Sequence, residues 1–523
     1  MEKYVVKLVS QLNSKCCSLD PIPTWLFKLI LPRICSFIVH LINVSLITGT
    51  YPDSCKTAMV KPLLKKYNLD PNEFKHFRPI SNLPFVSKLL EKVVIEQLLS
   101  HIEKFHTFDH FQSGFRRAHG TETALLRITN DILMERDKGN PVIVVLIDIS
   151  TAFDTLDREI LLKILRFRLG FDGIVLEWFK NYFELRSQFV RVNNVDSDQL
   201  TVDFGVAQGS QMGPLIFNLY LIPFYDKLKM LDIQYHGYAD DNQVYFSCKN
   251  LYADDIKTKL LNCMKFINDW FSIHKLKVNQ NKTQILCINF ERLQCDPFSV
   301  QISNEDIASQ EYVNNLGIII DKDLKFVQQV NSVCKISYYH LKLIARKRKF
   351  LSCEALRTSV SSFVLSRLNY CSSLYCGLPE YLLDTLQKVQ NCAARLISLT
   401  PQHSHMAPIL KSLGWLNIRN FIIFRLLTMV YKCINEYMPN YLTELLSFHT
   451  STHSLRSYNE FVLTVPFFKT KFGERAFSVT GPRYWNKLPL QIKLSPNLNT
   501  FKYRLKLHLL DTQVSSSMYS IQL

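Results

Sequence analysis

Two adjacent carboxylates, Asp240 and Asp241, interrupt a stretch at residues 235–246 that otherwise alternates along its length. The alternation predicts a β-hairpin with both acids at its tip. Adjacent carboxylates repel each other unless a cation or water neutralises them, and a hairpin tip would hold them as rigidly as a divalent metal requires. Their hard oxygen ligands suit Mg²⁺, which binds one or two carboxylates together with substrate phosphates. The alternative is a solvated turn, but the flanking aromatic and apolar residues would bury the hairpin and so favour a metal site.

A third carboxylate, Asp148, ends the continuous apolar run at residues 142–147. The β-branched residues of this run predict a strand buried on both faces. An unpaired carboxylate in the core is costly, so we expect Asp148 at an open strand end that faces a site. If this strand and the hairpin are neighbours in one antiparallel sheet, Asp148, Asp240 and Asp241 converge. Two metal ions held there would activate an attacking hydroxyl and stabilise a leaving pyrophosphate, and a ferredoxin-like βαββαβ sheet with helices on one face would supply the arrangement.

A glycine-spaced loop at residues 205–214 precedes an apolar helix predicted at 215–228. Glycine lets the backbone approach a ligand closely, and this loop lies in the sequence between the acid-ended strand and the acid-tipped hairpin. Basic residues occupy two other places: Lys61 and Lys66 lie toward the end of a short strand at 57–66, and Arg78 lies in a loop at 77–84 that leads into a helix at 86–99. These cations are suited to a triphosphate, although ordinary surface charge explains them equally well.

The remaining pattern predicts mainly helices with a few hairpins. Helices are predicted at 121–135, with Thr121 as the N-cap, at 158–168 and at 251–274. Hairpins are predicted from 181–193 with 201–206, and at 313–321. From Lys325 nearly to the end, the pattern is helical.

The composition indicates a packed globular protein whose positive charge is unevenly distributed. Of its 523 residues, 47% are hydrophobic and 15 are glycine, and the length is typical of roughly three domains. The first 323 residues contain 37 basic and 37 acidic side chains, whereas the last 200 contain 25 and 8, so the net charge of +17 lies in the C-terminal part. Such segregation favours a bound polyanion there, nucleic acid above all, over generic solubility charge.

The 14 cysteines show no zinc-finger spacing, so we expect reduced, buried thiols.

The N-terminal sequence does not have the pattern of a secretory signal. The most apolar run, residues 34–48, is interrupted by His40 and Asn43 and is about 15 residues long, short of the roughly 20 that span a bilayer. We therefore predict a buried helix there, no membrane partner, and a location in the nucleus and cytoplasm.

Taken together, these stretches resemble the reverse transcriptase of non-LTR retrotransposons, of the LINE type and jockey-like. Seven segments occur in the family's order over about 240 residues. They are Arg78-Pro79-Ile80-Ser81; Gln112-Ser113-Gly114-Phe115; Asp148 with Ala152-Phe153-Asp154; Gly205 through Gln208-Gly209 to Gly213-Pro214; Tyr238-Ala239-Asp240-Asp241; Asn279 with Lys282-Thr283; and Leu316-Gly317. Residues 390–397 and 413–418 also resemble segments that follow the polymerase in these elements.

The resemblance implies an α+β fold of the right-hand polymerase type, with fingers, a ferredoxin-like antiparallel palm and a helical thumb, followed by a mostly helical basic C-terminal region. The corresponding divisions are 1–135 for the N-terminal helices and fingers, 136–324 for the palm, 325–400 for the thumb and 401–523 for the C-terminal region. The implied activity is RNA-directed DNA synthesis with two Mg²⁺ ions, or Mn²⁺. The implied partners are dNTPs, an RNA template with a DNA primer, and the element's own RNA as a ribonucleoprotein.

The resemblance also implies roles for individual residues. Asp148 and Asp240 would be the metal-binding pair, with Asp241 assisting. Phe153 matches the steric gate that excludes a ribose 2′-OH, unless it is simply a core residue. Gln208 and Gly209 would line the nascent base pair, and Arg78 would bind the triphosphate, with Lys61 or Lys66 as further candidates. Lys282 would donate a proton to pyrophosphate, unless it is merely solvated, and Gly317 would lie in the primer grip.

The sequence also departs from the family pattern. We expect that the N-terminal endonuclease of such elements is absent and that the chain does not nick its own target. Met212, Ile216 and Gly120 replace more usual residues, but no catalytic acid is lost. Two other functions stay open: an inactive remnant that binds RNA through its basic tail, and a palm polymerase that makes RNA, against which Phe153 argues.

Overall fold

The computed structural model describes residues 2–12, 17–105, 107–247, 253–290, 299–302, 305–401, 403–449 and 461–519. The fold mixes helices and strands. The helices are α1 Glu2–Gln11, α2 Thr24–Thr48, α3 Phe85–Lys104, α4 Thr121–Asp137, α5 Arg158–Phe167, α6 Gly173–Phe183, α7 Gly213–Tyr220, α8 Ile222–Met230, α9 Ala253–Ile273, α10 Val327–Lys347, α11 Cys353–Val360, α12 Ser366–Asn369, α13 Glu380–Ser398, α14 Met406–Ser412, α15 Ile418–Ile434, α16 Asn440–Thr443, α17 Lys471–Glu474, α18 Phe477–Asn486, α19 Leu490–Lys493 and α20 Leu498–Tyr519. The strands are β1 Thr57–Leu64, β2 Phe77–Asn82, β3 Val142–Ile147, β4 Ile149–Ser150, β5 Ser187–Val192, β6 Val195–Asp196, β7 Leu200–Thr201, β8 Gln234–Tyr238, β9 Asp241–Ser247, β10 Lys277–Val278, β11 Gln284–Ile288, β12 Ser299–Ile302, β13 Glu305–Ala308, β14 Tyr312–Asn315 and β15 Ile318–Asp321.

The chain folds into two compact units, each built from segments that are separate in the sequence. The first unit contains Met1–Phe115, Ile147–Ile233 and Asn262–Lys282. The second contains Arg116–Leu146, Gln234–Leu261 and Thr283–Leu523. The predicted four-part division of the chain stays a prediction.

The first unit contains a sheet in the order β2-β1-β5-β6, with β7 paired to β5. Two sequence predictions are wrong here. Residues 77–82 form the strand β2 rather than a loop, since an edge strand tolerates the missing amide of Pro79. The hairpin predicted from 181–193 and 201–206 begins instead with the end of α6, and its second strand is only Leu200–Thr201.

The helix α2 differs from the sequence prediction in length and burial. It runs for 25 residues, because the apolar pattern continues back to Thr24. Its buried side chains lie on one face, and several large apolar side chains are exposed, Phe37 to 74%. The helix is long and apolar enough to cross a membrane, and 28% of its most apolar window is buried. The expectation of a buried helix whose apolar run is too short to span a bilayer is therefore wrong.

The second unit contains a sheet in the order β11-β3-β9-β8. The strand β3 is buried along almost its whole length, as its β-branched residues predicted. The antiparallel pair β8–β9 confirms the predicted hairpin at 235–246, and β14–β15 confirms the one at 313–321. Helices α10 to α20 confirm the helical pattern after Lys325.

Two helix boundaries differ from the sequence predictions. Gly120, not Thr121, is the N-cap of α4, and the Thr123 hydroxyl accepts a hydrogen bond from the Gly120 amide at 2.9 Å. The single helix predicted at 215–228 is divided at Leu221 into α7 and α8, because Pro223 favours the first turn of a new helix over the interior of a continuing one.

Asp137, at the end of α4, is hydrogen-bonded to the segment that precedes α17 in the second unit. Its carboxylate accepts hydrogen bonds from the Lys469 amide at 2.9 Å, the Thr470 amide at 2.7 Å and the Thr470 hydroxyl at 2.8 Å. Burial by itself would raise the pKa of Asp137, but these bonds and one from the Gly473 amide lower it below the usual value. A Cβ at Gly473 would lie 2.5 Å from the carboxylate, so glycine makes this approach possible.

We expect Asp137→Asn to lower the free energy of unfolding by about 2–4 kcal/mol at pH 7, because several hydrogen bonds to a charged acceptor are weakened. A carboxyl whose folded pKa is depressed stabilises the fold above its unfolded pKa of about 3.9, and this is lost as the pH falls through the folded pKa. The wild-type minus variant difference, measured by urea unfolding, should therefore shrink below about pH 4. Asp172→Asn, at an exposed position, is the control. A difference that stays constant from neutral to acidic pH would contradict the assignment.

Candidate functional site

Asp148 follows β3 directly, and the segment after α9 supplies its surroundings in the first unit. The Asn279 amide donates a hydrogen bond to the Asp148 carbonyl at 2.8 Å, and β10 pairs with β4 immediately beyond. The Lys282 Nζ lies 3.3 Å from Asp148 Oδ2. The two side chains are 66% and 32% exposed, so the pair is open to solvent and contributes little to stability. The structure thus brings together two residues that the sequence resemblance marks as catalytic.

The three acids differ in how the structure presents them, but each has the donor chemistry that Mg²⁺ prefers. Asp148 is partly exposed, and Asp240 and Asp241 are both exposed. Within the described part of the chain, no group of three or more His, Cys, Asp or Glu side chains is arranged to hold a metal ion. Carboxylate oxygens are ligands that Mg²⁺ prefers, and the ion usually completes its shell with water and substrate phosphates.

The glycine-spaced loop packs against the turn that contains Phe153 and Asp154. The Val206 amide donates to the Phe153 carbonyl at 2.8 Å, and Gln208 Nε2 donates to Asp154 Oδ2 at 3.0 Å. Gly205 has a φ of +71°, and a Cβ there would lie 2.6 Å from the Phe153 carbonyl oxygen. Glycine at this position is therefore required by both backbone conformation and close approach.

The same loop joins the edge strand β2. The Ser81 amide donates a hydrogen bond to the Gln208 carbonyl at 2.7 Å. Gly209 has a φ of +123°, and a Cβ there would lie 2.4 Å from the Ser81 carbonyl oxygen. The structure thus places Gln208 and Gly209 beside the strand that contains Arg78.

A cavity of about 170 Å³ opens beside this loop, and its walls include Pro79, Ser81 and Gln208. Strand alternation puts Pro79 and Ser81 on one face of the β1–β2 pair and Arg78 on the other. Lys61 lies on the same face as Arg78, and both are exposed. The structure therefore groups Lys61 with Arg78, on the face opposite to the cavity. Lys66 is exposed just beyond the end of β1.

Phe153 is half-buried, so it is neither a full core residue nor a free surface ring. Its ring centroid lies 5.2 Å from that of the fully buried Phe217 in α7. Because its carbonyl also accepts the Val206 amide, both the backbone and the ring of Phe153 are fixed. A ring held in this way is suited to a steric role at the site.

Glu91 was not recognised from the sequence, yet it positions the loop from within the core. The side chain is completely buried in α3, and Oε1 accepts the Tyr182 hydroxyl at 2.8 Å while Oε2 accepts the Gln211 amide at 2.7 Å. Desolvation raises the pKa of Glu91, an effect opposed by the charge of Arg186, which is itself buried against the Tyr182 ring. Glu91 therefore holds the loop just after Gln208 and at the start of α7.

In the second unit, Asp240 and Asp241 occupy the end of the β8–β9 hairpin. Asp240 lies in the turn after Ala239, whose φ is +59°, and Asp241 opens β9 opposite Tyr238. Beyond these exposed acids, β9 is buried. The Tyr245 hydroxyl donates to Asp131 Oδ2 of α4 at 2.8 Å, which fixes the strand that carries the acids.

Gly317, the predicted primer-grip residue, forms the β14–β15 turn with Leu316, and both have positive φ values of +82° and +47°. The Tyr370 hydroxyl donates to the Leu316 carbonyl at 2.7 Å, and its ring would lie 3.5 Å from a Cβ at Gly317. At the end of β14, Asn315 Nδ2 donates to Gln243 Oε1 of β9. This buried amide pair ties the turn of Gly317 to the strand that begins at Asp241.

Comparison with known proteins identifies the chain's relatives. Residues 64–320 match the family model described as reverse transcriptase (RNA-dependent DNA polymerase). In Drosophila melanogaster, the probable RNA-directed DNA polymerase from transposon X-element is 24% identical over 404 residues, which are 75% of this chain and 43% of that protein. In Drosophila funebris, the RNA-directed DNA polymerase from mobile element jockey is 26% identical over 410 residues, 76% of this chain and 44% of that protein. The chain thus spans less than half the length of these curated relatives.

Solved structures give a weaker likeness. Apo telomerase from Candida tropicalis matches with a TM-score of 0.42 and 12% identity, covering 75% of this chain and 67% of that one. Telomerase from Candida albicans, in complex with a fragment of telomeric RNA, matches with a TM-score of 0.36 and 12% identity over 77% and 68%. Both TM-scores are too low to support an argument. By the family match and the curated relatives, residues 64–320 are similar to the reverse transcriptase family, and the chain is similar to the RNA-directed DNA polymerases from transposon X-element and mobile element jockey.

Proposed function

We propose that this chain is a working RNA-directed DNA polymerase that transfers nucleotides from dNTPs to a primer 3′-OH on an RNA template. The observation that supports the proposal is the order of the strands in the sheet of the second unit. Asp148 follows β3, β3 is the neighbour of β9 in one sheet, and β9 begins at Asp241. This strand arrangement supports our proposal of a ferredoxin-like βαββαβ palm, in which Asp148, Asp240 and Asp241 would form one site.

Asp148, Asp240 and Asp241 would hold two Mg²⁺ ions, or Mn²⁺. When bound, the ions supply a lower pKa for the primer hydroxyl and charge stabilisation for the leaving pyrophosphate. Lys282, whose Nζ lies 3.3 Å from Asp148 Oδ2, would donate a proton to the leaving pyrophosphate. Arg78, with Lys61 on the same strand face, would bind the triphosphate.

The loop residues would select the incoming nucleotide. Gln208, held by Asp154 and Ser81, and Gly209 would line the nascent base pair. The half-buried ring of Phe153 would occupy the space that a ribose 2′-OH needs. Gly317 would support the primer end, and fingers, palm, thumb and C-terminal region would follow the divisions at residues 135, 324 and 400. The positive C-terminal charge supports binding of an RNA–DNA hybrid and of the element's RNA.

A primer-extension assay tests the function directly. The full chain is incubated with Mg²⁺, dNTPs and a DNA primer on an RNA template, beside Asp240→Ala as the control. We expect Mg²⁺-dependent extension that the Asp240→Ala variant does not support. If wild type and variant give the same signal while RNA binding persists, the chain is an inactive RNA-binding remnant.

Phe153→Ala is expected to admit ribonucleotides, because removal of the ring opens the space beside the sugar. We expect the ratio of dNTP to rNTP incorporation efficiency to fall by about 100-fold, an amount equivalent to losing nearly 3 kcal/mol of discrimination. The measurement is single-nucleotide incorporation with each substrate. Phe167→Ala, at an exposed ring in the same unit, should leave the ratio unchanged. A general loss of activity with an unchanged ratio would assign Phe153 to the core instead.

A further inference from the structure

A second cavity, of about 300 Å³, lies in the second unit, outside the matched domain. Its walls come from residues 376–380 and from the helices α17 and α18 with their flanks. Four basic side chains contribute to the lining, against two acidic ones. They are Lys471, Arg475, Arg483 and Lys487, with Glu380 and Glu474.

Both acids of this cavity are already neutralised. Glu474 pairs with Arg483 at 2.5 Å, and Glu380 pairs with Arg419. In contrast, none of Lys471, Arg475 and Lys487 has an acidic partner within 4 Å among the described residues. Three cations of the lining thus remain without an ion pair, a balance that favours an anionic ligand.

Arg475 is held where its charge is poorly solvated. Its Nε is buried and has no hydrogen-bond partner in the described structure. Desolvation lowers the pKa of Arg475 to about 10, with Asp321 opposing and Arg136 adding to that effect, so the side chain stays charged at neutral pH. Gly377, with a φ of +75°, lets the Arg475 stem approach, since a Cβ there would lie 2.7 Å from the arginine Cγ.

An aromatic ring borders the cations. Tyr484 is half-buried in the lining, and the Lys487 Nζ lies 5.9 Å from its ring centroid. The volume exceeds that of a single phosphate group, leaving room for the sugar or base attached to it. Cations beside an aromatic face are the combination that single-stranded nucleic acid uses, through its phosphates and its bases.

We propose that this cavity is a binding site for single-stranded RNA, with one backbone phosphate held by Lys471, Arg475 and Lys487 and an adjoining base against Tyr484. The site lies outside the residues assigned to nucleotide transfer. Its existence therefore does not depend on polymerase activity.

The test is fluorescence anisotropy of the full chain with a 5′-labelled 12-nucleotide oligouridine RNA. The double variant Lys471→Gln with Lys487→Gln removes two exposed charges at the cavity, and Lys411→Gln with Lys506→Gln removes two exposed charges elsewhere in the same unit. We expect about tenfold weaker binding for the cavity variant at 0.1 M salt, and a salt slope of log K that is smaller by about 1.4. The control variant should change the Kd for this RNA less than threefold. Equal effects of the two double variants would overturn the proposal.

Two further measurements distinguish binding of a nucleic-acid strand from binding of a small anion and from attraction by charge alone. Tyr484→Leu should weaken RNA binding by about fivefold or more while Tyr484→Phe preserves it, because stacking needs the ring and not the hydroxyl. Inorganic phosphate, added at matched ionic strength, should compete only weakly with the RNA. Strong competition by phosphate alone, with no effect of Tyr484→Leu, would overturn the assignment to RNA. Asp240→Ala should bind RNA as the wild type does, so failure of polymerase activity and failure of this site are distinguishable.

Discussion

Asp148→Asn is expected to reduce dNTP incorporation by at least about a thousandfold, because it removes a charged metal ligand while keeping the size of the side chain. The substitution should not disturb folding. The contact with Asn279 uses the Asp148 carbonyl, which asparagine retains, and the ion pair with Lys282 is solvent-exposed. The loss should therefore appear in the rate of incorporation and not in the melting temperature.

Single-turnover extension from a preformed primer–template measures this rate, with thermal unfolding recorded in parallel. Asp198→Asn, at an exposed acid in the same unit, is the matched control and should retain full activity. Retention of more than about a tenth of the activity by Asp148→Asn would remove that residue from the metal site.

Glu91→Ala is expected to lower the free energy of unfolding by about 3–5 kcal/mol, since it removes a fully buried carboxylate that accepts two hydrogen bonds and whose charge acts on the buried Arg186. The Tyr182 hydroxyl and the Gln211 amide would also lose their acceptor. Because Gln211 lies in the loop that contains Gln208, we expect a raised KM for dNTP in the folded fraction as well. Urea unfolding and dNTP-dependent extension measure the two effects.

Glu91→Gln separates the two contributions of this residue. Its side-chain oxygen can still accept one of the two hydrogen bonds, but the compensating charge is gone. Stability should thus remain reduced while the KM for dNTP recovers part of the way. Glu184→Ala, an exposed acid in the same unit, is the control and should change neither quantity. If Glu91→Ala raises no KM although it destabilises the fold, Glu91 has a structural role alone.

The local elements that carry the acids could be predicted from the sequence because their patterns are short-range. Alternation at 235–246 specified the hairpin, and the β-branched run specified β3 with Asp148 at its end. The strand β2 was missed because Pro79 lowers strand propensity, and only the sheet order reveals that β2 is an edge strand that tolerates it. The exposure of one face of α2 was not predicted, because an apolar run does not show which of its side chains pack against the rest of the chain.

The contacts that position the site could not be predicted, because they join distant parts of the chain. Glu91 and Gln211 are 120 residues apart, and Gln243 and Asn315 are 72 apart. A partial signal existed in each case: a glutamate on an apolar helix face and an amide within a buried strand both require a partner. The sequence indicates that such a partner exists but not which residue it is.

Iron-directed backbone cleavage tests most directly whether Asp148, Asp240 and Asp241 hold metal at one site. Fe²⁺ replaces Mg²⁺ in the full chain with primer, RNA template and dNTP, and ascorbate with peroxide generates radicals that cut the chain near the bound ion. We expect cuts next to residue 148 and next to residues 240–241 in the same sample, both suppressed by excess Mg²⁺ and by Asp240→Asn. Cuts at only one of these segments, or cuts that Mg²⁺ does not suppress, would contradict a shared metal site.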